Sequence, residues 1–173
     1  MNIFSSKISI NVVSLRGIIG DLGRFQKGLT MENSSSLLER AFTLKKPKVV
    51  VININSPGGS PVQSELIYNK IRELAEKNKT KVITIAEDVA ASGGYYISCG
   101  ANRIFAESNT ITGSIGVFGV IPNLGRMMEN KIGITFDRVE TNDHAAFTMF
   151  DALDKKELSI FQKGVDEIYG SHL

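Results

Sequence analysis

The sequence predicts an α/β fold built on a mainly parallel sheet. Three observations predict it. Two nearly continuous β-branched runs, Lys48–Ile54 and Val82–Ala86, have the composition of strands buried on both faces. Each is followed by a glycine-centred break, and after each break comes a segment with helical character. Strands alternating with helices in this way imply βαβ units. At 173 residues the chain is long enough to bury a core, and it shows no repeat and no linker, so one domain over 1–173 is expected.

The elements follow in order. Ile8–Val13 alternates loosely and reads as an opening strand, ended by Leu15-Arg16-Gly17. Residues 20–36 read as a polar, glycine-rich connection, and Ser36–Phe42 as a short helix with Leu37, Leu38 and Ala41 at helical spacing. After the first buried strand, Ser56-Pro57-Gly58-Gly59 breaks the chain. Ser60 then fits an N-cap, Pro61 the first helical position and Gln63 the far side of a capping box. Val62, Leu66, Ile67, Ile71 and Leu74 are expected on the buried face of that helix. Residues 90–99 are small and apolar and read as a buried helix, and Arg103–Ala106 as a short strand. Residues 110–120 are glycine-rich and β-branched. Leu124–Asn130 is expected to be helical, with Leu124, Met127 and Met128 on a core or subunit-facing stripe, and Ile132–Val139 to be a strand. Asp154-Lys155-Lys156-Glu157 opens a last helix whose stripe is Leu158, Phe161, Val165 and Ile168.

Composition excludes several classes of function. Hydrophobic residues are 42% and charged residues 22%, which is globular rather than disordered or fibrous. Lys plus Arg number 20 against 18 acidic residues, and the net charge of +2 gives no basic stripe for nucleic acid. One cysteine, Cys99, excludes an internal disulfide framework and a multi-cysteine metal site. The two histidines, His144 and His172, leave little to build a zinc centre, so no metal and no organic cofactor is expected. No stretch approaches the ~20 apolar residues of a membrane span, and Met1–Lys7 lacks the apolar run of a secretory signal. The chain as it stands is expected to be soluble, with membrane association only through segments outside it.

Two segments carry candidate chemistry. Asn55-Ser56-Pro57-Gly58-Gly59 and Asp88-Val89-Ala90-Ala91-Ser92-Gly93-Gly94-Tyr95 each follow a buried strand, and the second opens a helix. In a parallel sheet both lie at carboxyl ends of strands, where the sites of open α/β sheets gather. The small residues around Ser92 let a hydroxyl stand free, and Gly59 and Gly93 present N–H groups with no side chain in the way. That is a recipe for a nucleophile beside an oxyanion hole. The plainer alternative is a tight turn and close helix packing, and the residues alone leave both open.

Those two segments, with Thr110-Ile111-Thr112-Gly113-Ser114-Ile115-Gly116-Val117 downstream, resemble the signal peptide peptidase A family (protease IV, with the shorter SohB-like members). The resemblance runs from about Ile8 to Tyr169. It implies the Clp-protease/crotonase fold, with repeated ββα units and a mainly parallel sheet. It further implies a serine endopeptidase with a Ser/Lys dyad that cleaves hydrophobic peptides such as signal peptides, and assembly into homo-oligomers. Ser92 matches the nucleophile, and Gly59 and Gly93 match the oxyanion amides. The dyad lysine has no match: the loop where short members carry it reads Glu140-Thr141-Asn142-Asp143-His144-Ala145-Ala146-Phe147, with Ala145 at the expected place. A lysine from another protomer or another repeat, His144 acting as base, or an inactive assembly subunit are the three readings this leaves. Lys155 and Lys156 are expected to be solvated, His172 and Cys99 incidental, and Tyr95 and Tyr96 packing residues. Ser114 is expected to bond local backbone, and Asp88 to be a turn residue at a strand end.

Overall fold

A computed structural model of the chain describes residues 8–23, 27–137, 139–141 and 147–170. The chain forms two compact units, Met1–Ile115 and Gly116–Leu173.

The first unit is a parallel sheet with helices on one face. Its strands are β1 (Ile10–Arg16), β2 (Val49–Ser56), β3 (Lys81–Ala91), β4 (Arg103–Ala106) and β5 (Ile111–Gly113). Every pairing is parallel, the order β1-β2-β3-β4 follows the chain, and β5 pairs with the far end of β3. Helices α1 (Met31–Thr43), α2 (Pro61–Asn78) and α3 (Gly93–Ser98) pack in sequence, α1 on α2 and α2 on α3. The sheet's period of two decides which face they cover. Val13, Leu15, Val50, Ile52, Ile54, Val82 and Ala86 are buried in one core with Leu38, Phe42, Ile67, Ile71 and Leu74 from the helices. The alternate residues Ile10, Val12, Ile85 and Phe105 point the other way and are exposed.

Several boundaries depart from the sequence expectations, each for a local reason. β1 runs to Arg16 instead of Val13, because its ladder to β2 continues through Arg16 and Asn55. α1 begins at Met31, not Ser36. Thr30 Oγ1 accepts from Asn33 N, and Asn33 Oδ1 accepts from Thr30 N, so an asparagine does what Glu or Gln usually does in a capping box. The first turns of that helix carry Ser and Asn and give no apolar period to read. At α2, Ser60 caps as expected, its Oγ accepting from Gln63 N at 3.3 Å. The reciprocal half of the box is absent: Ser60 N donates to Ile19 O, and Gln63 Oε1 accepts from Met31 N at 2.8 Å. The α2 stripe is also narrower than expected. Ile67, Ile71 and Leu74 are buried with Ser64, but Val62 and Leu66 are 64% and 44% exposed. α3 covers only Gly93–Ser98, since β3 extends through Ala91, and Cys99 is exposed just past its end instead of buried within it.

The second unit holds a short turn of helix, α4 (Gly125–Met127), continued as a π-helical turn over Met128–Ile132, and a long helix, α5 (Lys155–Gly170). The strand expected over Ile132–Val139 is not formed in described residues 133–137. Among the described residues this unit has no strand to pair with it, and an isolated strand leaves its backbone groups unsatisfied. Phe136 stacks on Phe150 instead, centroids 4.0 Å apart. α5 opens as its signature predicts: Asp154 Oδ1 accepts from the N–H groups of Lys156 and Glu157, and Glu157 Oε2 accepts from Asp154 N. Lys155 and Lys156 are exposed, as expected, but so is Leu158 of the expected stripe. Met127 is likewise about half exposed.

The one-sided core gives a direct test. Ile52→Ala, in the fully buried row of β2, is expected to lower unfolding stability by about 2–5 kcal/mol. Val12→Ala, on the exposed face of β1, is expected to stay within about 0.5 kcal/mol of the parent. Urea unfolding followed by circular dichroism measures both.

Candidate active site

Ser92 is the junction between β3 and α3, and its backbone is unusual. It sits at φ 51°, ψ −122°, a conformation that costs a non-glycine residue on the order of 1–3 kcal/mol. Sharp strand-to-helix turns that lift a serine hydroxyl clear of a sheet share this kind of strain. The hydroxyl makes no cap bond to α3 although it occupies the N-cap position, where serine normally bonds an orphan N–H. Ser92 is half-buried. Among the described residues the hydroxyl has no hydrogen-bond partner, and a partly accessible hydroxyl of that kind is free for other work.

Three segments hold that turn. Ser92 N donates to Gly113 O at 2.8 Å, so the Thr110–Gly113 segment closes over it as β5, and Ser92 O accepts from Tyr96 N within α3. Gly58 lies against it from the other side. A Cβ on Gly58 would stand 2.7 Å from Ser92 Cβ, 2.9 Å from Gly93 N and 3.0 Å from Ala91 O, and its φ of +101° is a glycine conformation in any case. Gly94 is pressed on Ser56 and Gly93 on Ser64, where added Cβ atoms would meet Ser56 O at 2.7 Å and Ser64 Oγ at 2.2 Å. The three glycine-centred motifs of the sequence thus meet around one serine.

Gly59 and Gly93, the two amides named from sequence, lie at these turns. Ile19 forms a parallel bridge to Gly59, with Ile19 N donating to Gly58 O and Ile19 O accepting from Ser60 N. In such a bridge the central residue of the partner segment turns its own N–H away, so Gly59 N–H is directed off the Ile19 backbone. Gly93 N–H is the first of α3 and has no acceptor within the helix. Among the described residues neither N–H donates to any group. Gly59 is exposed, and Gly93 is buried beneath the Gly58 turn.

Other candidates fall as follows. Asp88 is exposed and accepts from Asn55 Nδ2 at 2.9 Å, a cross-strand partner its position in sequence did not announce. Tyr96 stacks on Tyr68 of α2, centroids 5.1 Å apart, and burial pushes its phenol up, with the charge of Glu65 adding to the shift. It packs, as expected. Ser114 follows Gly113 at φ 55°. Cys99 stands at the opposite end of α3 from Ser92. His144, Ala145 and His172 lie outside the described residues. Among the described residues, no lysine or histidine side chain bonds to Ser92, and no group of three or more His, Cys, Asp or Glu is placed to hold a metal ion. Among them, too, no helix is long and apolar enough to cross a membrane. Sequence reasoning missed Ile19 and Ser64, which shape the two turns. Ile19 lies between the expected end of β1 and the polar connection read over 20–36, and Ser64 is a small polar residue inside a helix, so neither has a local signature.

Comparison with known proteins gives the arrangement a family. The model of Peptidase family S49 matches residues 74–173, and the Clp protease model matches residues 25–111. Protease 4 of Haemophilus influenzae is 35% identical over 164 residues, 95% of this chain and 26% of that protein. The Na(+)/H(+) antiporter NhaA of Brucella melitensis is 44% identical over 126 residues, 72% of this chain and 17% of that protein. The chain therefore spans about a quarter or less of these two relatives. Among solved structures, the 1510-N membrane-bound stomatin-specific protease in complex with a substrate peptide superposes with a TM-score of 0.50 at 20% identity, over 68% of this chain and 49% of that one, a likeness of fold. With a matched model that includes the Ser92 turn and extends through α5, the chain belongs to peptidase family S49.

Proposed function

We propose that this chain hydrolyses peptide bonds with Ser92 as the nucleophile. The observation that carries this reading is the Ser92 turn itself: a serine at φ 51°, ψ −122°, packed against Gly58, its hydroxyl without a hydrogen-bond partner among the described residues. Ser92 Oγ attacks the scissile carbonyl carbon as its proton passes to a base. The carbonyl oxygen becomes an oxyanion that accepts from Gly59 N–H and Gly93 N–H. Collapse expels the amine, which takes the proton from the base, and leaves an ester on Ser92; water, its proton taken by the same base, then hydrolyses that ester, and the proton returns to the Ser92 hydroxyl. Backbone donors suit this step because they need no reorganisation as charge develops.

The base is a lysine supplied from outside the described site, by another protomer or another segment, and a lysine desolvated in an apolar site has the lowered pKa that the step requires. Its substrates are hydrophobic peptides, signal peptides among them, laid in extended form beside the site. Relatives named Serine protease SPPA of Arabidopsis thaliana, 39% identical over 127 residues, and Putative signal peptide peptidase SppA of Enterococcus faecium, 34% identical over 135 residues, support both the chemistry and this substrate class. A homo-oligomer fits a site that takes its base from a neighbour. One observation favours a second reading, an assembly subunit without catalysis: no lysine or histidine among the described residues bonds to Ser92.

A fluorophosphonate probe separates the two. Labelling of the wild-type protein that disappears in Ser92→Ala supports the hydrolase; no labelling of the intact assembly supports the subunit. The packing makes a second prediction. Gly58→Ala forces Ser92 to move and should slow labelling about 100-fold. Gly116→Ala, whose added Cβ meets nothing within 4 Å, should label at the parental rate. Mass spectrometry of the labelled peptide over time reads both.

A further inference from the structure

The ladder between β2 and β3 is irregular at one place. The strands pair residue for residue up to Ile54 and Ala86, and pair again at Ser56 and Ala90. One residue of β2, Asn55, therefore stands opposite three of β3: Glu87, Asp88 and Val89. The two extra residues are an even number, so Ala86 and Ala90 face the same core and the strand keeps its in-and-out alternation. Without this bulge, Asp88 would stand where Ala90 stands. Ser92 would overshoot Gly58 by two residues, roughly 6–7 Å of extended chain. The bulge sets how far the nucleophile arm reaches.

Asn55 spans it. Its Nδ2 donates to Asp88 Oδ2 at 2.9 Å, and its Oδ1 accepts from Val89 N at 3.3 Å. The amide can satisfy both only in this orientation, since a carboxylate needs a donor and an N–H needs an acceptor. Its backbone oxygen accepts from Gly17 N, which ties the same residue to the end of β1. Glu87 is held from β1 as well, by an ion pair with Arg16. Beyond the bulge the arm is taken up at once by β5, from Val89 with Ile111 to Ala91 with Gly113.

We propose that the Asn55–Asp88 pair is a positioning clamp for the nucleophile: it fixes the bulge, and through it the place of Ser92 between Gly58 and Gly113. Neither residue touches the substrate in this account, and the inference rests on the reading of Ser92 as the nucleophile. Both side chains are partly or fully exposed, so the clamp adds little to global stability. Its effect lies in geometry, where a displacement of about 1 Å can slow a reaction about 100-fold.

The test exchanges the two ends of the clamp. Asn55→Asp sets two carboxylates against each other; adding Asp88→Asn restores one donor and one acceptor, reversed. Two quantities are read in the full chain: the second-order rate of fluorophosphonate labelling at Ser92, and hydrogen exchange of the Ser92 amide, which donates to Gly113 O. Asn55→Asp should slow labelling about 10- to 100-fold and speed that exchange about tenfold, with little change in melting temperature. The double variant should return labelling to within about threefold of the parent. Wild-type labelling rates in Asn55→Asp, or a double variant no faster than the single, would overturn the clamp. If the parent itself does not label, the nucleophile assignment falls. The amide exchange then decides the clamp alone, and unchanged exchange in Asn55→Asp overturns it.

Discussion

One backbone conformation organises the site. Ser92 turns from strand to helix at a positive φ, and nothing in a serine favours that conformation by itself. The surroundings impose it. Gly113 O takes the Ser92 N–H on one side, and the bare Cα of Gly58 closes in on the other, near enough that no side chain fits between. Gly94 and Gly93 let α3 approach β2 and α2 as closely as Ser56 and Ser64 allow. The glycines in these motifs are thus there for contact as much as for conformational freedom. The sheet beneath supplies the rigidity, through a core in which Val13 pairs with Ile52, Leu15 with Ile54, and Ile54 in turn with Ala86.

A site made this way draws its polar groups from the main chain. Among the described residues the N–H groups of Gly59 and Gly93 are left unbonded at these turns; of the residues that shape them, Ile19 bonds through its backbone to Gly58 O and Ser60 N, and Ser64 Oγ donates to Ser60 O. A proton acceptor is the one requirement that backbone cannot meet, because amide groups have no useful basicity near neutral pH. That is the element the described residues do not place beside Ser92, and it is also the element that varies in origin most easily.

Much of this was legible from the residues in order. The β-branched runs gave β2 and β3, Pro61 after Ser60 gave the start of α2, and Asp154 with Glu157 gave the start of α5. The three motifs that the sequence set 20 to 40 residues apart do gather at Ser92. What could not be read was tertiary. The first turns of α1 are held by an asparagine in place of Glu or Gln, and Gln63 leaves its own cap for Met31 because α1 arrives beside it. Val62 and Leu66 look like core residues by spacing alone, but the helices cover only one side of the sheet and the stripe that faces it is narrow. Ile132–Val139 alternates as a strand does, and lacks a partner among the described residues of its unit. The bulge at Asn55 is invisible without the pairing of β2 and β3, since each strand taken separately is regular.

The order of the sheet bears on how the molecule comes together. Each of the first strands pairs with its successor, Ile10 with Val49 and Val49 with Lys81, so every closure joins neighbours along the chain and none has to wait for a distant terminus. The exception is the serine turn, whose neighbours come from before and after it: Gly58 is already present when β3 docks, but Gly113 arrives only with β5. With β1 to β4 paired, the Ser92 N–H still lacks its acceptor, which arrives only as β5 closes against β3.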